Sequence, residues 1–240
     1  PMQLTLEANM SPESHGRSDL PSRQRPLRFY RHPLSGHSHR VELMLNLLAL
    51  PYESIDVDLR AGEHRRPSFL ALNPFGKVPV IDDGENVVAD SNAILVYLVK
   101  RHAPDSHWLP DAPAAAADVQ RWFSIAAGPL VTGPADARLA RLRGRDPQAQ
   151  SLQIARDLFA ALDRHLQGRT YLVGDAATLA DLAMYSYVAL APEGGITLDE
   201  WPAIGRWLAR LESLDRFLAT GPSAAAAAAV GAVGAVGAAS

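Results

Sequence analysis

Residues 73–81 read NPFGKVPVI, and residues 90–94 read DSNAI a short way further along the chain. The β-branched and apolar residues 77–82 predict a strand, and Asp83-Gly84 is a strong signal for a hairpin turn. Residues 86–89 supply a return strand, and Ser91 stands where the next helix should begin. Pro79 gives no N–H to a ladder, which indicates an edge position or a cis peptide bond at a tight bend. An acid and a hydroxyl at a helix N-terminus beside such a bend would suit a small zwitterion.

The pattern around this stretch predicts a small α/β domain over residues 27–103. Strands are predicted over residues 27–31 and 52–58, with an amphipathic helix between them that carries apolar residues at 41, 44, 45 and 48. A further helix over residues 93–101 ends before Pro104. The predicted order is β-α-β, a connecting segment, and then β-β-α.

The second half of the chain predicts helices only. Residues 104–113 form a linker rich in Pro and Asp, and residues 114–220 contain no convincing strand. Thr178–Asp181 is a variant of the helix capping box, with Asp in the place usual for Glu or Gln. Two apolar stripes have helical spacing: residues 152, 155, 158, 159, 162 and 166, ended by Gly168, and residues 204, 207, 208, 211 and 218, begun by Pro202. The predicted fold class is therefore α/β plus all-α.

Composition excludes several kinds of function. The 240 residues are 48% hydrophobic and 20% charged, as in an ordinary globular protein, and a net charge of −3 gives no footprint for nucleic acid. The chain has no cysteine, which excludes disulfides, thiolate metal sites and any reactive sulfur of its own. We expect residues 1–26 to be a mobile arm without a secretory signal. Residues 221–240 are expected to be a low-complexity Ala/Gly/Val tail and not a membrane span.

Three motifs, in this order and spacing, resemble the soluble glutathione transferase family. They are GEHR at 62–65 leading to LNPFGKVP at 72–79, DS at 90–91 before an apolar helix, and TLADLA at 178–183. The first motif looks like plant-type (phi) and related bacterial members. The resemblance covers residues 27 to about 217 and implies a thioredoxin-like first domain, a helical-bundle second domain and a cytoplasmic homodimer. It also implies a cis Val78-Pro79 bond, glutathione as cosubstrate, a small hydrophobic electrophile, and no metal, membrane or nucleic-acid partner.

The resemblance implies that Ser35, just after the first predicted strand, is the catalytic hydroxyl. A hydroxyl that donates to the glutathione sulfur near a positive helix end would favour the thiolate. Without the resemblance, Ser35 is a turn or cap serine, although we expect Ser38 to be the cap of this helix. Tyr30 is an alternative hydroxyl that we expect to be structural. His37 and His39 flank the same turn as candidate bases or as a polar wall.

The binding residues that the resemblance implies correspond to the parts of glutathione. The backbone beside the proline would pair with the cysteinyl residue like an added strand, and the acid–hydroxyl pair would hold the γ-glutamyl end. Basic residues would attract the glycyl carboxylate. The plainer alternatives are helix capping by Ser91 and an exposed basic loop. The predicted binding residues are His64, Arg65, Lys77, Val78, Pro79, Asp90 and Ser91.

The acceptor pocket is the weakest part of the prediction. Leu34 and His37 in the first turn and Trp122 in the second half are its candidate wall. The predicted activity is conjugation of glutathione to small electrophiles or reduction of organic peroxides. The absence of cysteine argues against the branches that form a protein–glutathione disulfide. Alternatives are a non-catalytic binding or regulatory dimer and a glutathione-dependent dehalogenase or isomerase.

Overall fold

The computed structural model describes residues 26–221. The expected arm at 1–26 and the expected tail at 221–240 lie, apart from one residue each, outside this range. The elements are β1 (Leu27–Arg31), α1 (Gly36–Leu47), β2 (Tyr52–Asp56), a 3₁₀ turn (Glu63–Arg65), α2 (Pro67–Leu70), β3 (Val80–Asp82), β4 (Val87–Ala89), α3 (Ser91–His102), α4 (Pro113–Ala127), a π-helical segment (Val131–Ala135), α5 (Asp136–Leu142), α6 (Ala149–Leu166), α7 (Leu179–Ala189), a 3₁₀ turn (Ala191–Gly194) and α8 (Pro202–Glu212).

The four strands form one mixed sheet in the order β2-β1-β3-β4. Strand β1 is parallel to β2 and antiparallel to β3, and β3 is antiparallel to β4. In this register Tyr30 lies opposite Val80, and Val80 lies opposite Ala89. The end of β1, the start of β3 and the end of β4 therefore meet at one edge of the sheet. This order confirms the predicted α/β first domain, and the strands of the described chain all precede the helical half.

The cis bond and the predicted elements are present, but the position of one strand and the ends of two elements differ from the prediction. The Val78-Pro79 bond is cis, as predicted. The edge-strand alternative is wrong, because β3 lies between two strands and begins only after Pro79. Strand β2 is also shorter than predicted and ends at Asp56. Helix α8 ends at Glu212, so Leu218 does not belong to its apolar stripe.

Helix α7 is the centre of the protein. Each of its residues from Leu179 to Val188 is buried, and it packs against α1 of the first domain and α4 of the second. The core is consequently continuous from the sheet, through Phe29 and Ile81, to Trp207 on α8. This packing brings side chains of the helical half against the first helix of the α/β half.

The predicted capping box at the start of α7 is confirmed and extends further than predicted. Asp181 is fully buried and accepts the N–H of Thr178 at 2.8 Å. It also accepts from the Thr178 hydroxyl at 3.1 Å, from the Leu172 N–H at 3.0 Å and from the Trp207 indole at 2.8 Å. Burial raises the pKa of this carboxyl, which the donated hydrogen bonds oppose.

We expect Asp181→Asn to lower the free energy of unfolding by about 3 kcal/mol or more, because an amide group faces donors and leaves some of them unpaired. Chemical denaturation measures the loss. Asp157, an exposed carboxylate on α6, provides the control: Asp157→Asn should change the stability by about 0.5 kcal/mol or less. Equal effects of the two changes would contradict the structural role of the Asp181 network.

Candidate active site

Ser35 is the N-cap of α1. Its Oγ accepts the N–H of Ser38 at 3.2 Å, so the expectation that Ser38 is the cap is wrong. The Ser38 hydroxyl is buried and accepts the N–H of His32 at 3.2 Å instead. The turn from β1 into α1 therefore holds both serine side chains, and Ser35 is the one that lies at the helix N-terminus.

Tyr187, on α7, covers the start of α1. A Cβ at Gly36 would lie 2.7 Å from a carbon of the Tyr187 ring, so only glycine permits this approach. The Ser35 side chain and the His37 backbone lie near the phenol and act to lower its pKa. Burial raises the pKa of Tyr187 despite the nearby cations Arg40 and Arg138, so the phenol is neutral at pH 7. Sequence reasoning missed Tyr187, which reads only as one more apolar residue in a buried helix.

Arg40 is a second residue that sequence reasoning missed. Its side chain is almost fully buried and donates to the Ser91 hydroxyl at 2.9 Å and the Asn92 amide oxygen at 2.7 Å. It also donates to the backbone carbonyl of Ala183 on α7. Burial lowers its pKa to about 10, which leaves the guanidinium charged at neutral pH. Arg40, on α1, therefore connects this helix to α3 and α7 beneath the edge of the sheet where the end of β1, the start of β3 and the end of β4 meet.

Asp90 and Ser91, at the start of α3, have different roles. The helix begins at Ser91, as predicted, but Asp90 is its cap and accepts the N–H of Asn92 at 2.9 Å and of Ala93 at 3.1 Å. Asp90 is exposed and has a φ of 76°, in the left-handed region. The Ser91 hydroxyl is buried and contacts Arg40 and, at 3.0 Å, Nδ1 of His37. Capping by Ser91 is thus wrong, and Asp90 is the member of the pair that faces solvent.

The predicted basic residues lie together on two adjoining loops. A Cβ at Gly76 would lie 2.8 Å from the His64 carbonyl oxygen and 3.5 Å from a side-chain carbon of Arg65. Asn73 shapes the second loop, because its amide donates to the Lys77 carbonyl at 2.8 Å. Lys77 and Arg65 are exposed. Lys77 is therefore carried by the loop before the cis bond, which adjoins the 3₁₀ turn with His64 and Arg65.

His37 and His39 are both held neutral at pH 7. Burial, followed by the charges of Arg40 and Lys77, lowers the pKa of His37 to about 3. Burial is also the main reason why the pKa of His39 falls to about 4, and its Nδ1 lies 3.0 Å from the Ser186 hydroxyl. At these pKa values both rings are weak bases, and the His37 ring packs edge-on against Tyr187.

The predicted acceptor wall is only partly assembled. Leu34 is 40% exposed, and its carbonyl accepts from Arg138 of α5 at 2.7 Å. Arg138 is buried and pairs with Glu193 at 2.6 Å. Trp122 is buried in the helical core, edge-on to His165, which is a packing position. Tyr30 packs against Phe69, as expected of a structural residue.

Proteins of this class have a thioredoxin-like domain packed against a helical domain, and here the candidate site lies at the edge where β1, β3 and α3 meet. Two helix N-termini and the guanidinium of Arg40 make this edge positive, while Asp90 adds one exposed carboxylate. Residues 26–221 contain no group of three or more His, Cys, Asp or Glu that could hold a metal ion. In the same range no helix is both long and apolar enough to cross a bilayer.

Comparisons with known proteins agree with this class. The family model "Glutathione S-transferase, N-terminal domain" matches residues 34–101, and "Glutathione S-transferase, C-terminal domain" matches residues 140–215. Glutathione S-transferase 3 of Zea mays is 36% identical over 172 residues, 65% of this chain and 74% of the maize protein. A zeta-class glutathione S-transferase of Euphorbia esula is 32% identical over 80% of this chain and 88% of that protein. The crystal structure of a glutathione S-transferase from Pseudomonas fluorescens Pf-5 has a TM-score of 0.76 at 32% identity, covering 80% of this chain and 97% of that one.

The chain belongs to the glutathione S-transferase family, the enzymes that use glutathione as cosubstrate. This result confirms the predicted family, the fold class and the class of enzyme. The serine-type mechanism, the closeness to phi members and the individual site residues stay predictions.

We expect the free energy of unfolding to fall as the pH is lowered from about 6.5 toward 3. Because the folded-state pKa values of His37 and His39 lie below 6.5, the unfolded chain binds more protons in this window. Between its folded and unfolded pKa values, each of these histidines lowers the free energy of unfolding by about 1.4 kcal/mol for each pH unit of acidification. Above pH 6.5 the neutral ring contributes its full stabilisation. Denaturation at a series of pH values should show a smaller slope for His39→Gln. The control His102→Gln, at an exposed position on α3, should keep most of the slope, and equal slopes for His39→Gln and wild type would contradict the prediction.

Proposed function

We propose that this protein conjugates glutathione to small hydrophobic electrophiles and that the Ser35 hydroxyl stabilises the reacting thiolate. The observation that carries the proposal is the register of the sheet. It gathers the turn after β1, the cis bond before β3 and the start of α3 at one edge. An extended tripeptide that pairs with the backbone of Val78 would then have its two ends near Asp90 and Lys77, and its thiol toward Ser35.

Binding of glutathione relies on charges of opposite sign at its ends. Asp90 is an exposed carboxylate that suits the γ-glutamyl ammonium, while the positive N-terminal end of α3 suits the adjacent carboxylate. Lys77, with His64 and Arg65 on the neighbouring loop, attracts the glycyl carboxylate. Ser91 contributes indirectly, because its buried hydroxyl accepts a hydrogen bond from Arg40 and holds this cation against the start of α3.

Activation of the thiol is electrostatic. A free thiol has a pKa of about 8.5, so only a few per cent is ionised at neutral pH. A hydrogen bond from Ser35, the positive end of α1 and the buried cation Arg40 all favour the thiolate. Because the chain has no cysteine, the nucleophile is the sulfur of glutathione. The same thiolate would reduce an organic peroxide, which makes peroxide reduction a second activity to assay.

We further propose that the enzyme works as a homodimer in the cytoplasm, as is typical of this family. Its two functional units would be residues 27–103, which bind glutathione, and residues 114–220, which complete the site for the electrophile. A serine-type mechanism would agree with the resemblance of the NPFGKVP segment to phi-type and related bacterial members.

Replacement of Ser35 tests the thiolate role, provided that the loss of the helix cap is separated from the loss of the hydroxyl. Ser35→Gly keeps most of the capping free energy, whereas Ser35→Ala loses about 1 kcal/mol of it. Both variants lack the donor to sulfur, so we expect both to lower kcat/KM for a chlorodinitrobenzene-type acceptor by about 10- to 100-fold. Steady-state kinetics and thermal unfolding measured side by side distinguish the two effects.

Ser38→Ala is the matched control, because its buried hydroxyl only holds the turn through His32. It should lower stability and leave the pH dependence of kcat/KM unchanged. Wild-type turnover by both Ser35 variants would refute the thiolate role, and an absence of glutathione binding by the wild type would refute the enzyme as proposed.

Asp90→Asn tests the γ-glutamyl site. Asparagine tolerates the left-handed backbone and can cap α3, so the change removes mainly the negative charge. We expect KM for glutathione to rise by about 10-fold with a smaller change in kcat. Glu85→Gln, at an exposed carboxylate of the hairpin, is the control and should leave KM unchanged. An equal KM in Asp90→Asn and wild type would remove Asp90 from the binding site.

A further inference from the structure

Arg138, on α5 of the second domain, reaches the turn that carries the proposed catalytic serine. Its Nη1 donates to the backbone carbonyl of Leu34 at 2.7 Å, and its Nε donates to a carboxylate oxygen of Glu193 at 2.6 Å. The side chains of this ion pair are only 6% and 10% exposed. Such a buried pair resists movement, because a shift would leave charged groups unpaired away from water. The contact with Leu34 is therefore a fixed point between the two domains.

The Leu34 carbonyl belongs to the peptide group that immediately precedes Ser35. A peptide group is planar, so this C=O and the N–H of Ser35 move together. The N–H donates to the His32 carbonyl at 2.9 Å, within the turn after β1, while the C=O accepts from Arg138. The first domain thus holds one side of the peptide plane, and the second domain holds the opposite side. Together the two hydrogen bonds restrict where the Cα of Ser35, and with it the hydroxyl, can lie.

We propose that Arg138 is a positioning residue that clamps the peptide group before Ser35 and so directs the serine hydroxyl at the glutathione sulfur. This inference rests on the proposed function of Ser35. The Ser35 Oγ accepts the N–H of Ser38 at 3.2 Å, which is at the long end of the usual range, so the side chain depends on its backbone for its position. A displacement of about 1 Å at a reacting group can lower a rate by about 100-fold. Arg138 does not touch the sulfur in this arrangement, and its effect passes through the turn.

Arg138 acts by position and not by charge. Its guanidinium is paired with the Glu193 carboxylate, so the pair adds little net charge to the site. The cation of Arg40, by contrast, donates to uncharged groups. Removal of the whole Arg138–Glu193 pair therefore changes the geometry of the turn while the net charge of the protein stays the same.

Gly194 allows the ion pair to form. The 3₁₀ turn Ala191–Gly194 packs on α5, where a Cβ at position 194 would lie 2.8 Å from the backbone nitrogen of Arg138 and 3.1 Å from the carbonyl carbon of Ala137. A side chain at this position would force the turn and the helix apart, since both contacts are with backbone atoms. The close approach sets Glu193 against the Arg138 side chain and so helps to aim the guanidinium at Leu34.

The main test replaces the ion pair by apolar residues in the double variant Arg138→Met/Glu193→Leu. Removal of both charges leaves no unpaired buried ion, so we expect the protein to fold. The readouts are kcat and the pKa of enzyme-bound glutathione, followed by the ultraviolet absorbance of the thiolate. We expect the bound thiol to titrate about 0.5 to 1 pH unit higher and kcat to fall about tenfold at neutral pH. Glutathione affinity, measured at a pH where the bound thiol is protonated, should stay within about twofold of the wild-type value, because the proposed binding residues lie on other segments.

Arg101→Met/Glu85→Leu is the matched control. It makes the same two substitutions in an exposed ion pair between α3 and the hairpin, whose atoms lie 2.8 Å apart. It should leave the thiol titration at the wild-type value. Gly194→Ala is an independent second variant, because it keeps both charges but forces α5 away from the 3₁₀ turn. It should raise the thiol pKa in the same direction as the double variant, and it decides the question if the double variant does not fold.

Glu193→Gln separates an effect of position from an effect of charge. It keeps the Arg138 donor to the Leu34 carbonyl and removes the negative charge beside the guanidinium. We expect a thiol pKa at or below the wild-type value in this variant, together with the higher value in the double variant. If Arg138 acted by charge, Glu193→Gln would lower the thiol pKa and the double variant would leave it unchanged. That pair of results overturns the positioning role.

The double variant in a Ser35→Ala background separates a failure of this inference from a failure of the proposed function. If Arg138 acts through the Ser35 hydroxyl, loss of the ion pair should add nothing to the effect of Ser35→Ala. A wild-type thiol titration in the folded double variant, or an equal shift in the presence and absence of Ser35, overturns the positioning role while the Ser35 mechanism stands. A wild-type titration in Ser35→Ala alone overturns the mechanism itself, and the role of Arg138 with it.

Discussion

The buried guanidinium of Arg40 imposes the constraint on which the rest of the site depends. Removing such a cation from water costs several kcal/mol unless its donors are paired. Its donors reach the start of α3 through Ser91 and Asn92 and the middle of α7 through the Ala183 carbonyl. These contacts favour one arrangement of α1, α3 and α7, because a shift of any helix would leave further buried polar groups unpaired in addition to the Arg40 Nε, which has no partner among the described residues. The position of the helix N-terminus at the sheet edge follows from that arrangement.

Arg40 adds positive charge to the candidate site. Arg138 is paired with the Glu193 carboxylate at 2.6 Å, whereas the three acceptors of Arg40 are uncharged groups. The exposed Asp90 carboxylate offsets part of the charge of Arg40, and the remaining positive potential adds to that of the two helix N-termini. The same burial and charge keep His37 neutral. The positive charge of this region therefore comes from Arg40 and the helix N-termini and not from a protonated His37.

The turn that carries Ser35 is held by both domains. Strand β1 and helix α1 of the first domain set its backbone, while Arg138 holds the Leu34 carbonyl and Tyr187 packs on Gly36 from the second domain. Chemistry at this turn consequently depends on how the helical domain docks, although the turn belongs to the α/β domain. This dependence gives a physical reason for the continuous core that joins the two halves.

Features whose partners lie close together in the chain can be predicted from the amino-acid sequence. The hairpin at Asp83-Gly84, the cis bond before Pro79 and the capping box at Asp181 depend on neighbouring residues, and the structure contains all three. Apolar periodicity was sufficient for the helices, but it extended α8 to Leu218 because periodicity does not mark where a helix stops. The family and the fold class followed from these local motifs and their order.

The side chains that gather around the candidate site come from distant parts of the chain and are set by helix packing. Arg40 contacts α7 across 143 positions of the chain, and Arg138 contacts Leu34 across 104. Spacing cannot predict such pairs, because they arise from the docking of α7 and α5 against α1. The same docking buries Ser91 and leaves Asp90 exposed, although the two residues are adjacent in sequence. The hairpin turn and the capping box are therefore readable from the chain, whereas the surroundings of the Ser35 turn are a property of the packed helices.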